Sequence, residues 1–237
     1  FMLISVTALN AGSGSTVSSA FSTRVLTKPI ATVLPTVSGS AIYGSTLSIN
    51  LGTWSGITSG SFTYQWQRCN STELTSCRDI STATENSYII QVLDIGLYIR
   101  GSIKVIATNE NLEGIAFSNL TSRISSEPLN VSVPAITGVV AIGERLSVSS
   151  GNFTASPDPT FSYQWQKCSS TQVTSCVVIA GATSNDFLVP ESLLSSYIRV
   201  MVTASNSLGV RGTPSSLTNA VINPSLPTNT MAPTISG

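Results

Sequence analysis

Apolar and polar residues alternate most clearly in two related stretches, FTYQWQ (62–67) and FSYQWQ (161–166). Phe62, Tyr64 and Trp66, like Phe161, Tyr163 and Trp165, fall on one face and the glutamines on the other. This is the period of two expected of a strand with one buried side. Other short runs fit the same template: TLSINL and RLSVSS, SYIIQV and DFLVPE, the two segments that open on YIR, and a last strand near GIAFSNL or TPSSLTNAV. Along the second YIR segment, Ile198, Val200, Val202 and Ala204 make the apolar face, and Tyr197 and Arg199 the opposite one. Gly, Ser, Asn and Pro punctuate the runs, and no helical period of useful length interrupts them. About seven short strands in each block of about 100 residues predict an all-β fold built as a two-sheet sandwich.

The runs recur at a fixed interval. Pro29 and Pro128, Pro35 and Pro134, Trp66 and Trp165, Cys69 and Cys168, Cys77 and Cys176, and Tyr98 and Tyr197 are each 99 residues apart, and the prolines recur once more at Pro227 and Pro233. The opening FMLISVTALN aligns with YIRVMVTASN at 197–206. The expected organisation is therefore the last strands of a preceding repeat (1–28), two whole repeats (29–127 and 128–226) and the start of a following one (227–237). The interval slips only at YIRGSIKVIATN, which carries two residues more than YIRVMVTASN, a slip the sequence places inside that strand. A block of this length is domain-sized and can enclose its own core. The prolines of SSEPLNVSVP and NPSLPTNTMAP read as short, semi-rigid connectors.

These blocks resemble the immunoglobulin-like repeats of very large bacterial surface proteins. The resemblance rests on the YQWQRC and YQWQKC strands, the short cysteine spacing, the DIGLYIR segment, and the VTALN, VIATN and VTASN endings. It implies tandem immunoglobulin-like β-sandwich domains in a linear array at the cell surface. Two departures stand out. Asp94, Gly96 and Tyr98 spell the segment that precedes the second half-cystine of antibody-type domains, but Arg100 stands in the cysteine's place. The second repeat keeps only Tyr197, with Leu193 and Ser195 at the other two positions.

If Trp66 points inward, parity sends Gln65, Gln67 and Cys69 outward. The nearest partner of Cys69 is Cys77, and that of Cys168 is Cys176. Closing such a nine-residue loop contributes roughly 2.5 kcal/mol in the loop-entropy model. Local staples off the core are the expected arrangement, and they require an oxidising compartment. Bridges between neighbouring chains are the alternative. Zinc is disfavoured because seven residues separate the cysteines and the chain has no histidine. Redox chemistry prefers two intervening residues and a neighbouring cation. Trp66, Trp165, Tyr64 and Tyr163 are expected in the structural core.

Composition narrows function by exclusion. Charged residues are 9% of the chain and balance to a net charge of +0, while Ser and Thr together are close to three in ten. There is no basic field to attract nucleic acid, and no apolar run approaches the roughly 18–20 residues of a membrane span. A Ser-His-acid site is impossible without histidine. The acids do not recur, since Asp79, Asp94 and Glu85 face Val178, Leu193 and Ser184, which argues against a glycosidase pair. Glu127 alone is too little for calcium at a junction. A carbohydrate platform lacks exposed aromatics, because Trp66 and Trp165 point inward and Trp54 corresponds to Phe153. Tyr43, opposite Ile142, is the main aromatic difference. Sequons at Asn70, Asn119, Asn130 and Asn152 permit glycosylation without demanding it. Lys28, Lys104 and Lys167 fall at unrelated positions and support no Lys–Asn crosslink.

No catalytic residue, cofactor or metal is therefore expected. The expected role is a structural segment of a long extracellular bacterial fibre: a stalk, an adhesin shaft or a self-assembled filament or sheath. Its partners would be neighbouring repeats of the same chain and, through lysine-poor sheet edges, other copies of the protein. The alternative is a ligand- or glycan-binding adhesion module that uses the loops differing between repeats, SGITSGS (55–61) against TASPDPT (154–160).

Overall fold

The computed structural model describes residues 3–21, 27–57, 59–108 and 112–224, so the 227–237 segment lies outside it. The chain divides into two compact units, Phe1–Ile90 with Leu97–Arg123, and Gln91–Gly96 with Ile124–Gly237.

The first unit opens with a hairpin of β1 (Ser5–Asn10) and β2 (Ser13–Ser18). Its turn closes on Asn10, whose Oδ1 accepts the N–H groups of Gly12 and Ser13. Then follow β3 (Ile30–Val33), β4 (Thr36–Ser38), β5 (Thr46–Asn50), β6 (Thr53–Ser55), β7 (Gly60–Cys69), β8 (Cys77–Asp79), β9 (Ser87–Ile89), β10 (Tyr98–Ala107) and β11 (Glu113–Phe117). One antiparallel sheet has the order β11-β10-β7-β8, a second β4-β5-β9, and β3 pairs with β6. The inward residues of both sheets meet between them. Trp66, Ile99, Ile103 and Val105 come from one sheet, and Leu47, Ile49 and Ile90 from the other or its flank, all buried. Trp66 stacks on Tyr88 of the facing sheet at 5.6 Å between centroids.

The second unit repeats the plan with β12 (Ser126–Ser132), β13 (Ile136–Thr137), β14 (Arg145–Val148), β15 (Asn152–Ser156), β16 (Thr160–Cys168), β17 (Cys176–Val178), β18 (Asp186–Leu188), β19 (Tyr197–Asn206) and β20 (Gly209–Pro214). Its sheets run β17-β16-β19-β20 and β13-β14-β18, with β12 paired to β15. Leu146, Val148, Trp165, Val189, Leu193, Ile198, Val200, Val202 and Val221 form its core. The apolar parity read from the second YIR segment is the core face.

Three sequence expectations need correction. The two extra residues do not lie inside a strand. β10 and β19 are both ten residues long, and Trp66 faces Gly101 as Trp165 faces Val200. The surplus falls past the strand's end, between Ala107 and Leu112 against Asn206 and Gly209, which pair across the two strands in the same way. Of the two expected connectors, SSEPLNVSVP is not a free linker, since Pro128 and Pro134 are buried and SEPLNVS is the paired strand β12, while NPSLPTNTMAP lies outside the described residues from 225 on. An edge strand accepts proline because no ladder donor is lost there. Finally, the last strand of the second repeat begins earlier, at GVRGTP, and the SSLT that follows leaves the regular ladder.

Where the chain leaves that ladder, hydroxyls replace carbonyls. The N–H groups of Gly101 and Ile99 donate to Ser118 Oγ and Thr121 Oγ1 at 2.9 and 3.0 Å. Those of Val200 and Ile198 donate to Ser215 Oγ and Thr218 Oγ1, both at 3.0 Å. SNLT and SSLT thus do the same work in both units, keeping buried backbone donors satisfied.

Candidate functional site

The outer face of the sheet containing β7 and β10 carries the residues that the repeat preserves. Cys69 is bonded to Cys77, and Cys168 to Cys176, each pair directly opposed across two strands with Cα atoms 3.9 Å apart. The sulfurs lie on the side opposite Trp66, as parity requires, but they are not at the surface. Cys69 and Cys168 are 0% and 1% exposed, so the expected superficial staple is a covered one. In the first unit the intervening loop folds back over the sheet, and its Leu74 carbonyl accepts a hydrogen bond from Arg100 Nη2.

Both glutamines and the tryptophan of YQWQ have a hydrogen-bonding task. Gln65 Nε2 donates to the carbonyls of Trp66 and Ile80 at 2.9 and 2.8 Å, and Gln164 Nε2 to those of Trp165 and Ile179 at 3.1 and 2.9 Å. The indole N–H groups of Trp66 and Trp165 donate to Glu85 and Ser184 carbonyls. The second glutamine accepts from the arginine of YIR, with Arg100 Nε to Gln67 Oε1 at 2.7 Å and Arg199 Nε to Gln166 Oε1 at 2.6 Å. Tyr64 and Tyr163, expected in the core, are half-buried at its margin. Trp54 is half-buried against Phe62, as Phe153 packs on Phe161. Tyr43 and all four sequon asparagines are exposed.

Arg100 is the residue whose role the sequence misses. It occupies the position of a half-cystine in antibody-type domains, yet it faces outward. It is 6% exposed, with its guanidinium 4.3 Å from the centre of the Phe117 ring. Burial lowers its pKa from the ordinary guanidinium value, without discharging it at neutral pH.

Arg100 also lines a groove of about 840 Å³ in the first unit, whose walls include Ile30, Leu34, Leu74, Ile115 and Phe117. The groove lies where β3 turns away to pair with β6 and leaves β11 as a sheet edge. Strand register makes Gly212 and Pro214 the second unit's counterparts of Ile115 and Phe117. That difference between repeats is the sequence signal that points to the groove. Among the described residues no cluster of three or more metal-ligating side chains occurs, and no helix is long and apolar enough to cross a membrane.

No family model and no curated protein matches the chain. Among solved structures it is similar to domains A168–A170 of titin, with 13% identity over 92% of this chain and 74% of that one and a TM-score of 0.29. It is likewise similar to the FN1–FN3 domains of chicken CNTN1, with 15% identity, the same coverages and a TM-score of 0.26. The strand order itself defines the class. With β5 and β9 in one sheet and β7, β10 and β11 in the other, and β14 and β18 against β16, β19 and β20 in the second unit, the strands take the places of B and E against C, F and G, and each unit is an immunoglobulin-like sandwich. Its cystines belong to an oxidising environment.

Proposed function

We propose that this chain is a structural segment of a long extracellular bacterial fibre, in which immunoglobulin-like repeats act in series as a stalk, adhesin shaft or self-assembled filament. The supporting observation is what the repeat preserves. The cystine, the amide plugs and the arginine brace recur at the 99-residue interval, and the hydroxyl caps recur past the two-residue slip; all of them hold a sandwich together. None of them is placed to do chemistry on a substrate. Residues that selection would keep for a shared ligand, such as exposed aromatics or paired acids, do not recur at that interval.

A load-bearing role of this kind makes mechanical resistance the property to measure. Stretching the 237-residue chain between its ends by atomic-force spectroscopy should give two discrete unfolding events of nearly equal length. A smooth extension without such events would remove the basis for this reading. Electron microscopy of the purified full-length protein then separates isolated threads, the stalk form, from laterally bundled ones, the filament form.

A further inference from the structure

The groove of the first unit holds a cation that has no anion. Arg100 spends Nε on Gln67 and one Nη2 donor on the Leu74 carbonyl, which leaves three of its five N–H groups. Among the described residues no carboxylate pairs with it, and burial without a countercharge is the cause of its lowered pKa. No buried side-chain nitrogen in the described residues lacks a hydrogen-bond partner. Nη1, with its two donors, is therefore not buried, and it belongs to a residue that lines the groove. Lys28 lines it too, and the one acid there, Glu113, is already paired with Lys104 at 2.7 Å. The groove is thus positive at its floor and apolar at its walls.

Its shape fits an extended chain. β3 and β11 come together at one end, where a Cβ on Gly114 would lie 2.4 Å from the Pro29 carbonyl oxygen. The two sides are tied again at the other end, where the Val37 N–H donates to Asn119 Oδ1 at 2.9 Å. Between these ties β11 is an unpaired sheet edge, the template for strand addition. A peptide laid there would place alternate side chains roughly 7 Å apart on one face. Ile115 and Phe117 repeat at the same interval beside Arg100.

The second unit separates the arginine's two roles. Arg199 braces Gln166 as Arg100 braces Gln67, but the wall positions are Gly212 and Pro214, and Glu127 and Arg211 bridge β12 and β20 at 3.0 Å. The brace is common to both repeats. The apolar walls belong to the first.

We propose that this groove binds a short extended acidic-apolar peptide strand, added along the edge of β11 with apolar residues at alternate positions on Ile115 and Phe117 and its carboxylate, two positions beyond the Phe117 contact, on Arg100. The site is independent of the fibre reading, since it concerns one unit and a short peptide.

The test uses acetyl-Val-Thr-Val-Thr-Asp-amide and its Asp-to-Asn analogue, titrated into the isotope-labelled 237-residue chain and followed by NMR. Amide shifts should concentrate in residues 30–36 and 113–119, with the acidic peptide binding about tenfold tighter, as a charge-assisted contact implies. Arg100→Gln should abolish the difference between the peptides. Because that variant also removes the brace to Gln67, Ile115→Ser provides a second check: it should weaken both peptides equally and keep their ratio. Equal affinity of the two peptides for the unmutated chain, or shifts outside the groove at millimolar peptide, would overturn the proposal. So would decanoate binding in the groove when neither peptide does.

Discussion

Two positions show the repeats trading backbone strain. Thr82 has φ +64° where the second repeat has Gly181 at +75°, and Ser195 has φ +59° where the first has Gly96 at +81°. A β-branched residue in this left-handed region is the more costly of the two exceptions. Thr82→Gly should therefore raise the stability of the first unit by about 0.5–1 kcal/mol, the strain relieved minus the added freedom of glycine in the unfolded chain. A thermal melt that moves downward would contradict this. A second residue-scale expectation concerns charge. The Ser184 hydroxyl, 2.7 Å from Asp186 Oδ1, and then Arg145 hold that carboxyl below its ordinary pKa, with partial desolvation opposing them. The stabilisation this gives is complete above the ordinary carboxylate range and is lost as the pH falls through the lower folded-state value. Ser184→Ala should raise the Asp186 pKa in an NMR titration, and its stability difference from the parent should be present at neutral pH and fade in acid.

At the scale of strands, the two sandwiches fill the same space differently. Ile49 of β5 lies against Gly101 of β10, where a Cβ would be 2.1 Å from Ile49 Cδ1. The equivalent pair in the second unit is Val148 and Val200, both buried. Volume lost on one sheet is recovered on the other. Gly101→Val should cost about 1–3 kcal/mol by overpacking, and adding Ile49→Val should recover more than half of it. Additive denaturation midpoints would show that the residues do not share one cavity. Strand position was readable from alternation alone, which puts Trp66 and Val200 on the core face. What alternation cannot supply is pairing between distant segments. Arg100 acts through Gln67, 33 residues away, and through Phe117 on the next strand, so its brace stayed invisible in the chain's local pattern. The prolines misled for a related reason. Lacking an N–H, they read as connectors, yet an edge strand needs no donor from them.

Among the described residues, the 99-residue interval carried the equivalence of β7 with β16 and of β10 with β19, because landmarks so evenly spaced require equivalent environments. The groove left only a negative trace, the absence of Ile115 and Phe117 from the second repeat. The cystines were legible as local pairs by proximity, but not as covered ones, since coverage depends on how the loop to Leu74 lies back on the sheet. They also set a length that can be measured. Each clasp withholds eight residue steps from extension, about 29 Å at roughly 3.6 Å per step, less the 3.9 Å that its Cα atoms already span, so about 25 Å. After reduction in denaturant and refolding, each unfolding event should lengthen by that amount. Unchanged increments would mean that these two bonds do not close the loops in the stretched protein.

The burial of Cys69 and the loop above it make this bond a gauge of tension. A thiol in the surroundings should reach this bond slowly while the unit is slack, with Cys69 covered and Cys77 8% exposed, and faster once pull has parted the strands. Cleavage of the bond would then leave a lasting chemical record of a load that has already passed.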